Sequence, residues 1–148
     1  MVKKSYKILL VEDNLGHAEL VKRSIKEHSI PTQIDHIFDG ETALDYLFKR
    51  GEYQNTDING LPSVILLDLR MPKVDGLEVL KSIKQDDDLK SIPVVILTTS
   101  ESERDIETAY TYSVNSYLVK PMDFEEFETM IHDMLTYWLN WNQHLLNL

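Results

Sequence analysis

The chain has 148 residues, of which 43% are hydrophobic, and its formal net charge is −10. This length suits one domain with one substantial core, and an acidic surface disfavours binding to DNA or RNA. Cysteine is absent, which excludes disulfides, thiolate metal sites and cysteine nucleophiles. No apolar run is long enough for a membrane span or a signal peptide, so a cytoplasmic protein with no membrane contact is expected.

Short apolar, β-branched runs alternate with helical patterns along the chain. The runs read as continuous hydrophobic stretches, which is typical of parallel strands buried on both faces. The predicted strands are Lys7–Val11, Gln33–Phe38, Ser63–Asp68, Pro93–Thr98 and Ser116–Val119. Between them, apolar residues recur every three or four positions, as in amphipathic helices. The pattern predicts an α/β fold in which five strands, each followed by a helix, form a doubly wound (βα)5 parallel sheet.

Local signals predict where some helices begin. Asp13 or Asn14 could cap the first helix, and Gly76 opens the third. Ser100 is expected to cap the fourth helix, with Glu103 completing a capping box. The polar stretch 50–61 is expected to be an unusually long surface loop.

Polar side chains follow four of the predicted strands. Glu12 and Asp13 follow the first strand, Asp68 ends the third, Thr98 ends the fourth, and Lys120 follows the fifth. Ligands bind at the carboxyl ends of the strands in folds of this kind, so one pocket is expected to hold them all. Asp68 comes directly after four aliphatic residues, where a carboxylate needs a cation or hydrogen bonds.

The chemistry of this set points to a phosphoryl group. Several carboxylates held together need a cation, and hard oxygen ligands suit Mg²⁺. Lys120 supplies a point charge suited to phosphate, and the Thr98 hydroxyl can donate a hydrogen bond. Such a site binds a phosphoryl group and leaves one carboxylate free to act as nucleophile.

With these motifs in order, the chain resembles the receiver domain of two-component response regulators over about residues 6 to 138. The segments that carry the resemblance are Leu9–Asp13, Leu66–Gly76, Pro93–Thr98 and Tyr117–Pro121. The resemblance implies a flavodoxin-like sheet with strand order 2-1-3-4-5. It also implies one receiver domain over residues 1–148, with a core of about 6–138 and a C-terminal helical extension over 139–148.

The resemblance assigns roles to individual residues. Asp68 is the expected phosphoacceptor, Thr98 and Lys120 are expected to bind the phosphoryl group, and Tyr117 is expected to turn with Thr98 as the switch. The expected ligands of Mg²⁺ are Asp13, Asp68 and the backbone carbonyl of Arg70, with Glu12 acting through a water. The Lys120–Pro121 peptide bond is expected to be cis.

The function implied is that of a phosphorylated signalling switch. A sensor histidine kinase is expected to transfer a phosphoryl group from its phosphohistidine to Asp68. This would switch the surface of the fourth helix, fifth strand and fifth helix for partner binding or dimerisation. No enzyme activity is expected beyond the protein's own phosphorylation and dephosphorylation, and no residues remain for an output domain. The long loop and the last helix resemble those of the small stand-alone regulators that serve phytochrome-type histidine kinases.

An apolar stripe predicts one long amphipathic helix after Asp123. Its members are Phe127, Ile131, Met134, Trp138, Trp141 and Leu145. The stripe continues past the usual end of a receiver and carries both tryptophans, which favours a homodimer contact. The alternatives are an extension that folds back on its own domain and a frayed tail.

Other interpretations stay open. A receiver that binds partners without phosphorylation would not need the complete acid, threonine and lysine set. An enzyme of another class on this fold, flavodoxin-like or phosphatase-type, lacks support because no glycine-rich loop follows the first strand. The histidines lie outside the strand-end set, which disfavours a catalytic triad. Arg70 is expected to reach over the pocket and Thr99 to restrict access to it, so both are expected to affect acyl-phosphate hydrolysis.

Overall fold

A computed structural model describes residues 6–55 and 60–144 of the chain. In these ranges, five strands form one sheet in the order β2-β1-β3-β4-β5, and every neighbouring pair is parallel. The strands are β1 (Tyr6–Val11), β2 (Thr32–Ile37), β3 (Val64–Leu67), β4 (Val94–Thr98) and β5 (Ser116–Val119). The predicted fold class and strand order are confirmed.

Five α-helices connect and follow the strands. They are α1 (Leu15–Glu27), α2 (Gly40–Phe48), α3 (Gly76–Gln85), α4 (Glu103–Thr111) and α5 (Phe124–Leu135). A side chain accepts a hydrogen bond from the first turn of each helix, which stabilises its start. These capping residues are Asn14, Asp39, Asp75, Ser102 and Asp123. The predicted long loop begins with a short 3₁₀ turn at Gly51–Tyr53.

The start of α4 differs from its prediction. Ser102 caps the helix by accepting the N–H of Asp105, so the predicted cap at Ser100 is wrong. The Ser100 hydroxyl instead donates to the Asp105 carboxylate at 2.6 Å. Ser100 and Ser102 both fit the preference for serine at the start of a helix. In the structure Ser100 contacts the buried Asp105 instead, and Ser102 is the cap.

Helices cover both faces of the sheet, so the central strands are apolar along their whole length. Alternate residues of β1 point to opposite faces. Leu9 and Val11 pack towards α2, α3 and α4, whereas Ile8 and Leu10 pack towards α1 and α5. Burial on both faces of the sheet explains why these strands are continuously hydrophobic. It also explains why the polar residues of the predicted site lie at the strand ends.

The C-terminal helix is present but shorter than predicted. After Leu135 a wider, π-type segment continues over Thr136–Trp141 and ends there, and the N–H of the following Asn142 donates to the carbonyl of Tyr137. The predicted extension over 139–148 is therefore helical only to Trp141 among the described residues, and Leu145 lies outside them. Leu139 is buried, whereas Trp141 is 71% exposed.

None of the helices in the described part of the chain is both long enough and apolar enough to cross a bilayer.

The described residues contain no cis peptide bond, so the expected cis bond between Lys120 and Pro121 is wrong. The trans form is the more stable one for most X–Pro bonds, and only the resemblance had implied the other.

Gly76 allows the backbone of α3 to approach the end of β3. A Cβ atom at this position would lie 2.2 Å from the carbonyl oxygen of Asp68 and 2.7 Å from the Cα of Leu69. Gly76→Ala is therefore expected to lower the free energy of unfolding by about 1–3 kcal/mol, the usual cost of overpacking. Urea denaturation measures this loss. Gly16→Ala is the control, since its Cβ meets only the Asn14 side chain, at 3.3 Å; an equal loss there would contradict the steric argument.

Candidate functional site

Asp68 lies just past the end of β3, at the carboxyl edge of the sheet. Its side chain is 11% exposed. Oδ1 accepts the backbone N–H of Leu69 at 2.8 Å, and Oδ2 lies 3.8 Å from Nζ of Lys120. The local hydrogen bond therefore fixes one oxygen of the carboxylate, while the other oxygen faces the ammonium.

Lys120 follows β5 and its ammonium is buried among acids. Nζ donates to Oε1 of Glu12 at 2.5 Å, and the two side chains are only 4% and 2% exposed. The backbone of Lys120 is anchored as well, because its N–H donates to the Thr98 carbonyl at 2.7 Å. A buried ion pair of this kind needs such close geometry to offset the cost of desolvating two charges.

Three carboxylates meet at this edge. Oxygens of Glu12, Asp13 and Asp68 lie within 4.8 Å of one another; Glu12 and Asp68 are buried and Asp13 is exposed. Burial and a hydrogen bond with Asp68 raise the pKa of Glu12 to about 7, although Lys120 opposes the shift. Burial thus disfavours the charged form of Glu12, even though Oε1 contacts the Lys120 ammonium.

The donor set of this cluster fits a hard divalent cation. All three side chains offer carboxylate oxygens, and the exposed Asp13 leaves the cluster open on one side, where a cation could keep water ligands. The structure brings the predicted ligands Glu12, Asp13 and Asp68 together. The backbone carbonyl of Arg70 stays a predicted ligand.

His17 joins the site, although the sequence placed it outside the strand-end set. Its Nδ1 lies 2.9 Å from Nζ of Lys120 and 4.0 Å from Oε1 of Glu12. The residue sits in the first turn of α1, where its N–H is bonded by the capping side chain of Asn14. The signal in the sequence was the helix start: a side chain in the first turn after β1 lies at the same edge as the strand ends.

Thr98 and Tyr117 lie on the side of the pocket next to α4. Thr98 is fully buried, and its Oγ1 accepts the N–H of Ser100 at 3.3 Å. Tyr117 is half-buried on β5, and its hydroxyl donates to the carbonyl of Ser100 at 3.0 Å. Both predicted switch residues therefore contact Ser100, in the loop between β4 and α4.

The Arg70 side chain pairs with an acid at the start of α4. Its guanidinium bonds the carboxylate of Asp105 at 2.5 Å, and the same carboxylate accepts the Ser100 hydroxyl. The arginine thus links the loop after Asp68 to the start of α4. This pair could not be predicted from the sequence, because Asp105 resembles an ordinary first-turn acid, whereas in the structure it is only 8% exposed.

The chain is similar to known signalling proteins. Residues 8–132 match the family model described as response regulator receiver domain. Over 136 residues the chain is 46% identical to the probable methanogenesis regulatory protein FilR2 of Methanothrix harundinacea, covering 92% of this chain and 85% of that protein. Over 132 residues it is 42% identical to the response regulator Rcp1 of Synechocystis, covering 89% and 88%.

Solved structures give the same result. The crystal structure of the phosphorylated cyanobacterial phytochrome response regulator RcpA aligns with a TM-score of 0.89 and 38% identity, covering 95% of this chain and 99% of that one. The Mn²⁺-bound form of Rcp1 aligns with a TM-score of 0.88 and 40% identity, with the same coverage.

Proposed function

Because the chain belongs to the response regulator receiver domain family, we propose that Asp68 accepts a phosphoryl group from a phosphohistidine of a sensor histidine kinase. The observation that carries the assignment is the position of the Asp68 carboxylate. One of its oxygens is held by Leu69 and the other faces the Lys120 ammonium, beside Glu12 and Asp13. This arrangement supports Asp68 as the nucleophile, with Lys120 as the counter-charge and the acidic cluster at the same edge of the sheet.

In the proposed reaction a carboxylate oxygen of Asp68 attacks the phosphorus atom. The P–N bond of the phosphohistidine breaks, and the imidazole leaves with the electron pair, which makes an acyl phosphate on Asp68. Lys120 balances the charge on the phosphoryl oxygens, and the Thr98 hydroxyl donates a hydrogen bond to one of them. When bound to Glu12, Asp13 and Asp68, Mg²⁺ would neutralise part of the same charge. The Mn²⁺-bound form of Rcp1 supports a divalent cation at this site.

The proposed signal passes from the phosphoryl group to the loop between β4 and α4. Movement of Thr98 towards the phosphoryl oxygen would pull on Ser100, which Tyr117 and Asp105 also contact. This is a local change in charge that biases a two-state element. The surface of α4, β5 and α5 is the proposed output for partner binding. The likeness to RcpA supports a phytochrome-type kinase as the donor, and the cytoplasm stays the predicted location.

A labelling experiment tests the proposed function. The purified chain is mixed with a radiolabelled, autophosphorylated histidine kinase in Mg²⁺. We expect the label to move to the chain, to require the metal, and to be released by neutral hydroxylamine, which cleaves acyl phosphates. Chelation of Mg²⁺ with EDTA is the control. A chain that takes no label from any kinase tested or from acetyl phosphate would contradict the proposal and favour a receiver that works without phosphorylation.

We also propose the homodimer contact that the C-terminal stripe predicts. Trp141 is 71% exposed at the end of the last helix. Tyr137 and Trp138 of the same segment help to line a groove of about 770 Å³ between β5 and α5. Exposed aromatic residues of this kind are typical of an interface.

Truncation after Leu139 tests the dimer, because it removes Trp141 and keeps the buried Leu139. Sedimentation is expected to give a dimer mass for the full chain and a monomer mass for the shortened one. Phe38→Ala, which removes an exposed aromatic side chain near the opposite edge of the sheet, is the control and should keep the dimer mass. A dimer that survives truncation would rule this contact out.

A further inference from the structure

The Lys120 ammonium has three N–H donors, and the structure accounts for the direction of each. One donates to Oε1 of Glu12 at 2.5 Å and a second to Nδ1 of His17 at 2.9 Å. The third has Asp68 Oδ2 as its charged neighbour at 3.8 Å, which is too long for a hydrogen bond. A phosphoryl oxygen attached to Asp68 would lie in this gap, within reach of the third N–H.

We propose that His17 is a positioning residue, which turns the Lys120 ammonium so that its free N–H faces the group on Asp68. The inference deepens the proposed function and rests on it. Glu12 alone leaves the ammonium free to rotate about its Cε–Nζ bond and to swing around one acceptor. A second acceptor, supplied by α1, removes this freedom, because two fixed hydrogen bonds determine where the third N–H points.

The tautomer of His17 follows from its partner. An ammonium only donates, so Nδ1 of His17 must accept and the ring proton of the neutral imidazole must be on Nε2. Burial and the nearby Lys120 charge lower the pKa of His17, which favours this neutral, accepting form. Asp13 and Asp68 oppose that shift from the other side of the pocket.

The local backbone holds the imidazole in place. The side chain of Asn14 accepts the N–H of His17 at 3.0 Å, so the same cap that starts α1 fixes the residue that carries the acceptor. The ring is 37% exposed at the rim of the pocket. A substitution there is therefore expected to keep the fold, and its effect should appear in the reaction.

Two variants separate positioning from packing. His17→Asn places an amide oxygen two bonds beyond Cβ, where Nδ1 of histidine stands, and this oxygen can accept from Lys120. His17→Leu keeps a side chain of similar bulk and removes the acceptor. Both are phosphorylated with acetyl phosphate in saturating Mg²⁺, so that recognition by a kinase plays no part, and the rate is measured over a range of donor concentrations.

We expect His17→Leu to lower the maximal rate about tenfold, the equivalent of one lost hydrogen bond to a charged group, with little change in KM. His17→Asn should stay close to wild type, and thermal unfolding should show all three proteins folded. Equal rates for the three proteins, or equally slow rates for both variants, would overturn the role of His17. A wild-type chain that takes no label would instead show that the proposed function fails.

Discussion

Asp68→Asn is expected to abolish phosphoryl transfer to the chain, both from a histidine kinase and from acetyl phosphate. The amide has no charged oxygen to attack phosphorus, whereas its shape is that of the carboxylate. The amide oxygen can still accept the N–H of Leu69, now at 2.8 Å from Oδ1, so the loop after β3 is expected to keep its course. Hydroxylamine-sensitive label, counted on the purified chain, should fall to the background of a sample without donor.

Asp75→Asn is the matched control for this loss. Asp75 is an acid in the same loop and caps α3 by accepting the N–H of Glu78 at 3.0 Å. Asparagine caps a helix as well as aspartate does, so this variant should be labelled like wild type. If Asp68→Asn kept normal labelling, the phosphoacceptor would be another residue, and the arrangement of Lys120 and Glu12 would need another explanation.

Removal of the Asp68 charge has a second consequence in the same variant. Burial and then the hydrogen bond and charge of Asp68 raise the pKa of Glu12. With asparagine at position 68 the repulsion is gone, and the pKa of Glu12 should fall towards its ordinary value. Carboxyl ¹³C shifts of Glu12, followed over pH, would report this change without any phosphorylation.

The fold was predictable because its signals are local. Continuous aliphatic runs such as Val64–Leu67 predict strands that are buried on both faces of a sheet. The amphipathic patterns between the runs predict the helices that cover these faces. The order of the strands came from the resemblance, and the position of Asp68 then followed from where β3 ends. The meeting of Asp68, Glu12 and Lys120 needed only the rule that the carboxyl ends of parallel strands share one edge.

The rest depends on side-chain contacts between distant elements. His17 and Lys120 are 103 residues apart, and Arg70 and Asp105 are 35 apart. Neither contact can be predicted from the hydrophobic periodicity of the sequence. Each contact requires one residue to lie on a particular helical turn and its side chain to adopt a particular rotamer. The end of the last helix at Trp141 was missed for a similar reason, since the apolar stripe continues past the point where the backbone leaves the helix.

Lys120→Met is expected to lower the free energy of unfolding by about 3–5 kcal/mol at pH 8 in metal-free buffer. Methionine nearly matches the length of lysine but leaves Glu12 buried beside Asp68 without its ammonium partner. The loss of one partner of a buried ion pair typically has this cost. Urea denaturation in EDTA measures it. Lys22→Met, which removes a lysine from an ion pair with Glu19 on the surface of α1, is the control and should change stability by less than about 1 kcal/mol.

The sign of the pH dependence identifies Glu12 as the cause. Its folded-state pKa, about 7, is already above the ordinary value of 4.5, and loss of Lys120 removes an influence that lowers it. The folded variant then binds a proton that the unfolded chain releases, so its stability falls as pH rises from 6 to 8, by at most about 1.4 kcal/mol per pH unit. The deficit relative to wild type should therefore be smaller at pH 6 than at pH 8.

A second substitution separates this charge from simple loss of packing. Glu12→Gln in the Lys120→Met background removes this titrating group, so the part of the pH dependence between 6 and 8 that comes from Glu12 should be lost, and most of the deficit at pH 8 should be recovered. A deficit that is the same at both pH values, or that persists in the double variant, would mean that Lys120 stabilises the fold through its methylene contacts. A recovered double variant would instead show that the buried charge of Glu12, left without its ammonium partner, causes the loss. The three carboxylates that meet at this edge favour binding of a cation, which would also assist the proposed phosphoryl transfer to Asp68.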